Sequence, residues 1–167
     1  DRDIPILRNR QISTGINFSG AGWLISTDGY YKKVDGITSQ SQGFLNQYEF
    51  VKSNGSYKVL GLDFLIRKSF DKFNSWLSYS FMDNTYTFKD FEAYPFPSNF
   101  DVTHSVSLGT TFTSNNLKIA AGLNWHSGKP TTEPVEGNEI VNGEINYNDP
   151  NMVTLPNYFR VDISALY

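Results

Sequence analysis

Apolar and polar residues alternate with period 2, helical periodicity is nearly absent, and the connections run short, long, short, long, short, long. Together these predict an all-β chain. The expected fold is an antiparallel up-and-down transmembrane β-barrel segment of about seven strands. Composition permits it. The 167 residues include 13 Phe, 10 Tyr and 3 Trp, so aromatics carry much of the apolar content. The mean hydropathy of −0.39 is unremarkable, as it must be where lipid-facing and lumen-facing side chains alternate. No stretch approaches the ~18 consecutive apolar residues of a transmembrane helix.

The strands follow in order. Residues 8–18 set Ile12, Ile16 and Phe18 against Gln11, Ser13 and Asn17. Residues 23–38 place Trp23, Ile25 and Tyr31 on one side, with a pattern that degrades after Asp28. The clearest run, 58–70, sets Leu60, Leu62, Phe64 and Ile66 against Gly61, Asp63 and Arg67. Residues 73–87 set Phe73, Leu77, Tyr79 and Phe81 against Trp76, Ser78, Ser80 and Asn84. Residues 101–113 set Val102, Val106, Leu108 and Phe112 against Thr103, Ser105, Ser107 and Gly109. Residues 117–126 set Leu117, Ile119, Ala121, Leu123 and Trp125 against Lys118, Ala120, Gly122, Asn124 and His126. Residues 157–167 set Phe159, Val161, Ile163, Ala165 and Tyr167 against Tyr158, Arg160, Asp162 and Ser164. Side chains one residue apart on a strand point to opposite faces, so each run presents one apolar and one mixed face.

The short connections are Ser19–Gly22, Asp71–Lys72 and Ser114–Asn116; the long ones are Ser39–Gly55, Phe88–Phe100 and Lys129–Pro156. Tight turns on one rim and long loops on the other are the outer-membrane pattern, periplasmic and extracellular respectively. Lys129–Pro156, with Pro130, Pro134, Gly137, Gly143 and Pro150, is expected to be the most mobile. An odd strand count is at variance with the even number of a complete bacterial barrel. Either a strand precedes Asp1 or Phe44–Val51 supplies an eighth. The opening Asp1-Arg2-Asp3-Ile4-Pro5 lacks the pattern of a secretory signal, so a mature chain or an internal piece of a longer one is expected.

Several chemistries are disfavoured. With 14 Lys+Arg against 17 Asp+Glu the net charge is −3, without the basic excess of a general nucleic-acid binder. There are no cysteines and two histidines, so thiolate chemistry is excluded and little remains for a metal site. Asp101 and His104 are three apart on a strand and face opposite sides. His126 beside Ser127 has no nucleophile elbow or oxyanion motif. Ser127-Gly128-Lys129-Pro130 is not a phosphate loop. No catalytic residue, metal or cofactor is expected, and the chain is not expected to be an enzyme.

Three groups of residues remain of interest. The loop aromatics Tyr86, Phe88, Phe91, Tyr94 and Phe96 are candidate ligand contacts by stacking, with packing among the loops as the alternative. Asp63, Arg67, Asn124, His126, Arg160 and Asp162 are expected on the lumen side of the wall, where water makes polar groups inexpensive. Trp23, Phe73 and Trp125 suit interfacial aromatic belts. Strand glycines Gly61, Gly109 and Gly122 are expected to mark bulges, crowding relief or close approach of another element.

Six segments in order resemble the C-terminal barrel region of TonB-dependent outer-membrane receptors, in the form found in Bacteroidota. They are Gly29-Tyr30-Tyr31 through Ile37; Asn54-Gly55 through Gly61-Leu62-Asp63; Trp76-Leu77-Ser78-Tyr79-Ser80; Asp101-Val102-Thr103-His104-Ser105; Trp125-His126-Ser127-Gly128-Lys129-Pro130; and Leu155-Pro156-Asn157-Tyr158-Phe159-Arg160-Val161-Asp162. The resemblance implies part of a barrel of about 22 strands, with the family's plug domain and TonB box absent and strands missing at both ends. It implies residence in the outer membrane of a Gram-negative cell. The implied partners are outer-membrane lipid, the rest of the barrel and its plug, the TonB complex through the absent N-terminal region, and a small ligand taken up with energy coupling. That ligand would be a ferric chelate, cobalamin or a glycan. The rival readings are a complete eight-stranded barrel with a structural or adhesive role, and a soluble carbohydrate-binding β domain.

Overall fold

A computed structural model describes residues 6–38, 54–88 and 94–167. The described residues contain strands and turns and no helix. The strands are β1 (Arg8–Gly20), β2 (Trp23–Thr38), β3 (Asn54–Phe70), β4 (Phe73–Thr87), β5 (Phe96–Pro97), β6 (His104–Ser114), β7 (Leu117–His126), β8 (Pro130–Thr131), β9 (Ile140–Val141), β10 (Glu144–Ile145), β11 (Val153–Thr154) and β12 (Tyr158–Leu166).

The long strands form one antiparallel sheet in the order β1-β2-β3-β4-β6-β7-β12, with β5 added to β4 near the long-loop rim. Two-residue turns join β1 to β2, β3 to β4 and β6 to β7, closing on the pairs Gly20–Trp23, Phe70–Phe73 and Ser114–Leu117. Ala21 and Gly22 both have positive φ, 47° and 75°, the signature of a type I′ turn, whose twist matches that of the flanking strands. Asp71 and Asn115 enter their turns at φ 43°.

Each pairing preserves the faces read from the sequence. One continuous row runs Ile16–Thr27–Phe64–Tyr79–Val106–Trp125–Phe159. The next runs Phe18–Ile25–Ile66–Leu77–Leu108–Leu123–Val161. The apolar positions of all seven long strands therefore share one face. Much of that face is exposed, including Leu60, Leu62, Val161 and Ile163. Near the short turns Trp23, Phe70, Phe73 and Phe112 form an aromatic border, with Phe73 5.5 Å from Phe70 and 5.0 Å from Phe112.

The sheet is open. Among the described residues β1 pairs only with β2 and β12 only with β7. It is neither a closed eight-stranded barrel nor a two-sheet sandwich. Phe44–Val51, the alternative eighth strand, lies outside the described residues.

Several details depart from the sequence reading. β3 begins at Asn54, so Gly55 belongs to the strand. The faulty alternation late in β2 comes from a bulge between Asp35 and Ile37. Gly36 sits there at φ 83°, a conformation that L side chains avoid. The inserted residue puts Val34 and Ile37 on the same side. Gly61 and Gly109 mark no bulge; each is covered by a ring from a neighbouring strand. Tyr30 of β2 lies over Gly61 and Trp76 of β4 over Gly109, where a Cβ would collide with the ring. A Cβ at Gly122 would meet, among the described residues, the Leu108 carbonyl at 3.8 Å, an ordinary contact. The segment 129–156 is folded back on itself: β8 pairs with β11, Pro134 bridges Tyr147, and β9 pairs with β10.

The one buried apolar cluster among the described residues sits at the long-loop rim. Val34, Ile37, Tyr86, Phe88 and Phe96 pack together, with Tyr57 against them. β5 folds back so that Tyr86 and Phe96 lie opposite one another, with ring centroids 5.8 Å apart. Phe88 is fully buried and its ring lies against Gly55. Phe88→Ala is expected to destabilise the barrel by about 3–5 kcal/mol, as for other buried Phe deletions. Tyr94→Ala, at an exposed ring, should stay within about 0.5 kcal/mol. Urea unfolding of the detergent-solubilised receptor measures both.

Candidate functional site: the long-loop rim and the polar face

Where the strands end and the long loops begin, backbone groups lose their ladder partners and need others. Three of the six segments that stood out in the sequence supply them. Asp101 precedes β6 and turns its carboxylate to β4: Oδ1 accepts the Asn84 N–H at 3.1 Å and Oδ2 accepts the Thr103 hydroxyl at 3.3 Å. The Asn84 carbonyl in turn accepts the Ser98 N–H at 2.8 Å. His104 points the other way and shares a 3.0 Å hydrogen bond with the Tyr79 hydroxyl, so Asp101 and His104 take separate partners.

Ser127 closes the next gap. Its hydroxyl accepts the His104 N–H at 3.0 Å, and its own N–H donates to the His104 carbonyl at 2.9 Å. It makes no contact of a nucleophile with a base, because His126 Nδ1 lies 2.8 Å from the Ser127 carbonyl instead. Gly128 donates its N–H to Asn157 Oδ1 at 3.0 Å, and Leu155 N–H donates to the Lys129 carbonyl at 2.9 Å. A Cβ at Gly128 would run into the Leu155 carbonyl. These bonds tie β6, β7 and the approach to β12 into one rim.

Asn151 joins the two long loops. At φ 60°, it donates its N–H to the Thr132 hydroxyl at 2.9 Å and its side-chain amide to the Pro97 carbonyl at 2.8 Å. Sequence reasoning missed Asn84, Ser98, Asn151 and Asn157. The signal available was weak: Asn in a loop tolerates positive φ and bonds to nearby backbone, yet many exposed asparagines do the same.

Asp63, Arg67, Asn124, His126, Arg160 and Asp162 all fall on the face opposite the apolar rows. The structure does not bring them into one cluster. Arg160 and Asp162 form an exposed ion pair at 2.7 Å, Arg67 reaches Asn74 at 3.2 Å, Asn124 accepts the Ser107 hydroxyl at 2.9 Å, and His126 stacks on Tyr158 at 5.0 Å. Asp63 faces Asp28 directly across the strands. Like charges in that position repel, so this face requires water or counter-ions.

Of the candidate ligand-contact aromatics, Tyr86, Phe88 and Phe96 are buried in the rim cluster, Tyr94 is exposed, and Phe91 lies outside the described residues. A cavity of about 510 Å³ opens on the polar side, lined among others by Tyr30, Lys32, Tyr57, Asn84, Tyr86 and Phe100. Asn84 Oδ1 is buried there with no hydrogen-bond partner among the described residues. Among the described residues no group of three His, Asp or Glu could hold a metal.

The family model for the β-barrel of TonB dependent receptor-like proteins matches residues 7–167. The chain belongs to this family, whose members are non-enzymatic transporters of the Gram-negative outer membrane. No curated protein and no solved structure matches it.

Burial pushes the Asp101 carboxyl above its ordinary range, opposed by the hydrogen bonds from Asn84 and Thr103. The folded rim thus holds this proton more tightly than the unfolded chain does. Its contribution to stability is present below the ordinary carboxylate value and is lost as pH rises through the raised one. Asp101→Asn should remove that dependence and be at least as stable as the parent at neutral pH. Asp101→Ala leaves the Asn84 N–H unpaired and should cost about 1–3 kcal/mol. Urea midpoints of parent and variant receptors across pH 3–7 give the comparison. Gly128→Ala, which forces a backbone shift, should cost a further about 1–3 kcal/mol and raise protease cleavage within 129–156.

Proposed function

We propose that this chain is a section of the wall of an energy-coupled uptake receptor, with its apolar face toward lipid and its polar face toward the lumen. The chief support is the segregation of the two faces through the pairings of the seven long strands, interrupted among the described residues at the Gly36 bulge near the long-loop rim. An exposed apolar face this wide is unsuited to water, and the facing carboxylates Asp28 and Asp63 are unsuited to hydrocarbon. The unpaired edges of β1 and β12 cannot sit in a bilayer, where each unsatisfied backbone group costs several kcal/mol. Closure requires further strands, and the plug and TonB contacts belong to other parts of such a receptor.

The ligand is a scarce solute: a ferric chelate, cobalamin or a glycan. The exposed Tyr94 and the cavity beside Tyr30, Tyr57 and Asn84 are the expected points of contact on this section of wall, because rings stack on flat ligand surfaces and the unpaired amide oxygen accepts a donor.

In cells carrying the receptor, cysteines at Asp63 and Asp162 should react with a membrane-impermeant thiol reagent. Cysteines at Leu62 and Val161 should not, and labels there should be quenched by lipid-borne quenchers. Equal reactivity of the two sets would overturn the orientation. Ligand accumulation, tested with each of the three ligand classes, should stop when a protonophore is added while surface binding persists. Accumulation that survives the protonophore would refute energy coupling.

A further inference from the structure

We propose that Arg10, Lys33 and Lys58 form a binding site for the phosphorylated head group of an outer-leaflet lipid. The proposal rests on the orientation given above, with the apolar face toward lipid. The three residues are directly opposite one another on β1, β2 and β3, in the row Arg10–Lys33–Lys58–Thr85. They lie on the apolar face, immediately beyond the row Ile12–Tyr31–Leu60, whose members are all exposed.

Their height along the wall is the second observation. The apolar run of β3 is bounded on this face by Lys58 toward the long loops and Lys68 toward the tight turns. Ten residues of a strand tilted by about 40° rise roughly 25 Å, the height of the apolar band of an outer-membrane barrel. The row therefore stands where hydrocarbon gives way to head groups on the long-loop side.

The two borders differ in how their cations are satisfied. Lys68 lies 4.5 Å from the Trp23 ring centroid and donates to the Ala21 carbonyl at 2.9 Å. In the upper row Lys33 pairs with Asp35 at 3.2 Å. Arg10 and Lys58 have no carboxylate within 4 Å among the described residues. Arg8, one row further out and opposite Asp35, adds another cation without a salt bridge among the described residues. Among the described residues the other carboxylate on this patch is Asp83, opposite Leu60. Among the described residues four cations against two carboxylates leave this patch an excess of positive charge, on a chain whose net charge is −3. Like charges directly opposite one another are destabilising in a sheet, and an anion bridging them reverses the sign. A phosphoryl group offers several acceptor oxygens, suits both guanidinium and ammonium donors, and on a lipid is held at this height by its acyl chains.

The test uses the delipidated receptor in maltoside micelles doped with a bisphosphorylated glucosamine-disaccharide lipid, or with the same lipid after phosphatase treatment. Retained lipid is counted by native mass spectrometry. Preferential retention of the phosphorylated form is expected. Its apparent affinity should fall at least tenfold in the Arg10→Gln, Lys33→Gln, Lys58→Gln triple variant and stay unchanged in Lys72→Gln, at the opposite rim. Lys58→Gln alone and a salt titration of the parent, both expected to weaken retention, give independent readings should the triple variant fold poorly. Equal retention of the dephosphorylated lipid, or undiminished retention by the variants, overturns the site. Displacement by equimolar inorganic phosphate would mark a free-anion site and overturns it too. A lipid-chain quencher read at a Leu62 label reports the orientation separately, so failure of the site and failure of the orientation are distinguishable.

Discussion

Everything in this structure depends on register. A strand turns alternate residues to opposite faces, so a slip of one residue in any pairing would exchange Leu62 with Asp63, or Val161 with Asp162. A charged side chain at mid-membrane costs about 2–4 kcal/mol for Arg or Lys, and each long strand carries several polar residues on its inner face. The register is held at the short rim by three two-residue turns, which admit little freedom. It is interrupted only at Gly36, beyond the apolar rows, where a change of face exposes nothing to hydrocarbon. There the bulge has a use: it turns Ile37 to the same side as Val34, and the rim cluster is built on that pair.

The long-loop rim is held in another way. Tight turns need only local chemistry, whereas strands that part into long loops leave backbone groups unpaired. Asp101, Ser127, Gly128 and Asn157 satisfy those groups across three strand ends. This gives a physical sense to the short segments that carry the resemblance to the receptor family. Asp101, Ser127 and Asn157 in three of them are hydrogen-bond partners of backbone, and Gly128 is the residue small enough to pass beneath the Leu155 carbonyl. The wall and rim thus form a hydrogen-bonded frame from which the long loops extend. The ligand is accordingly expected to be determined by what the frame carries.

The two faces divide the chemistry. Small polar side chains and the two facing aspartates line the polar face, where no fixed cluster of reactive groups forms among the described residues. The apolar face carries aromatics near the tight turns and, toward the loops, cations without a salt bridge among the described residues, so its two borders differ in chemistry.

Alternation and turn composition are local properties, and they determined the strands, their faces, the two rims and the polar wall positions from Asp63 to Asp162. The family was legible too, because the rim segments recur as short ordered motifs. The tertiary structure alone decided that Tyr86, Phe88 and Phe96 are buried while Tyr94 is exposed. A ring's burial there depends on β2, β3, β4 and β5 meeting, and residues 34 and 96 are far apart in the chain. It also decided that Tyr30 and Trp76 cover glycines on neighbouring strands, that Asn151 bonds to Pro97, and that Arg10, Lys33 and Lys58 stand side by side. Each of these is a relation between strands, and cross-strand neighbours exist only once the register has been set.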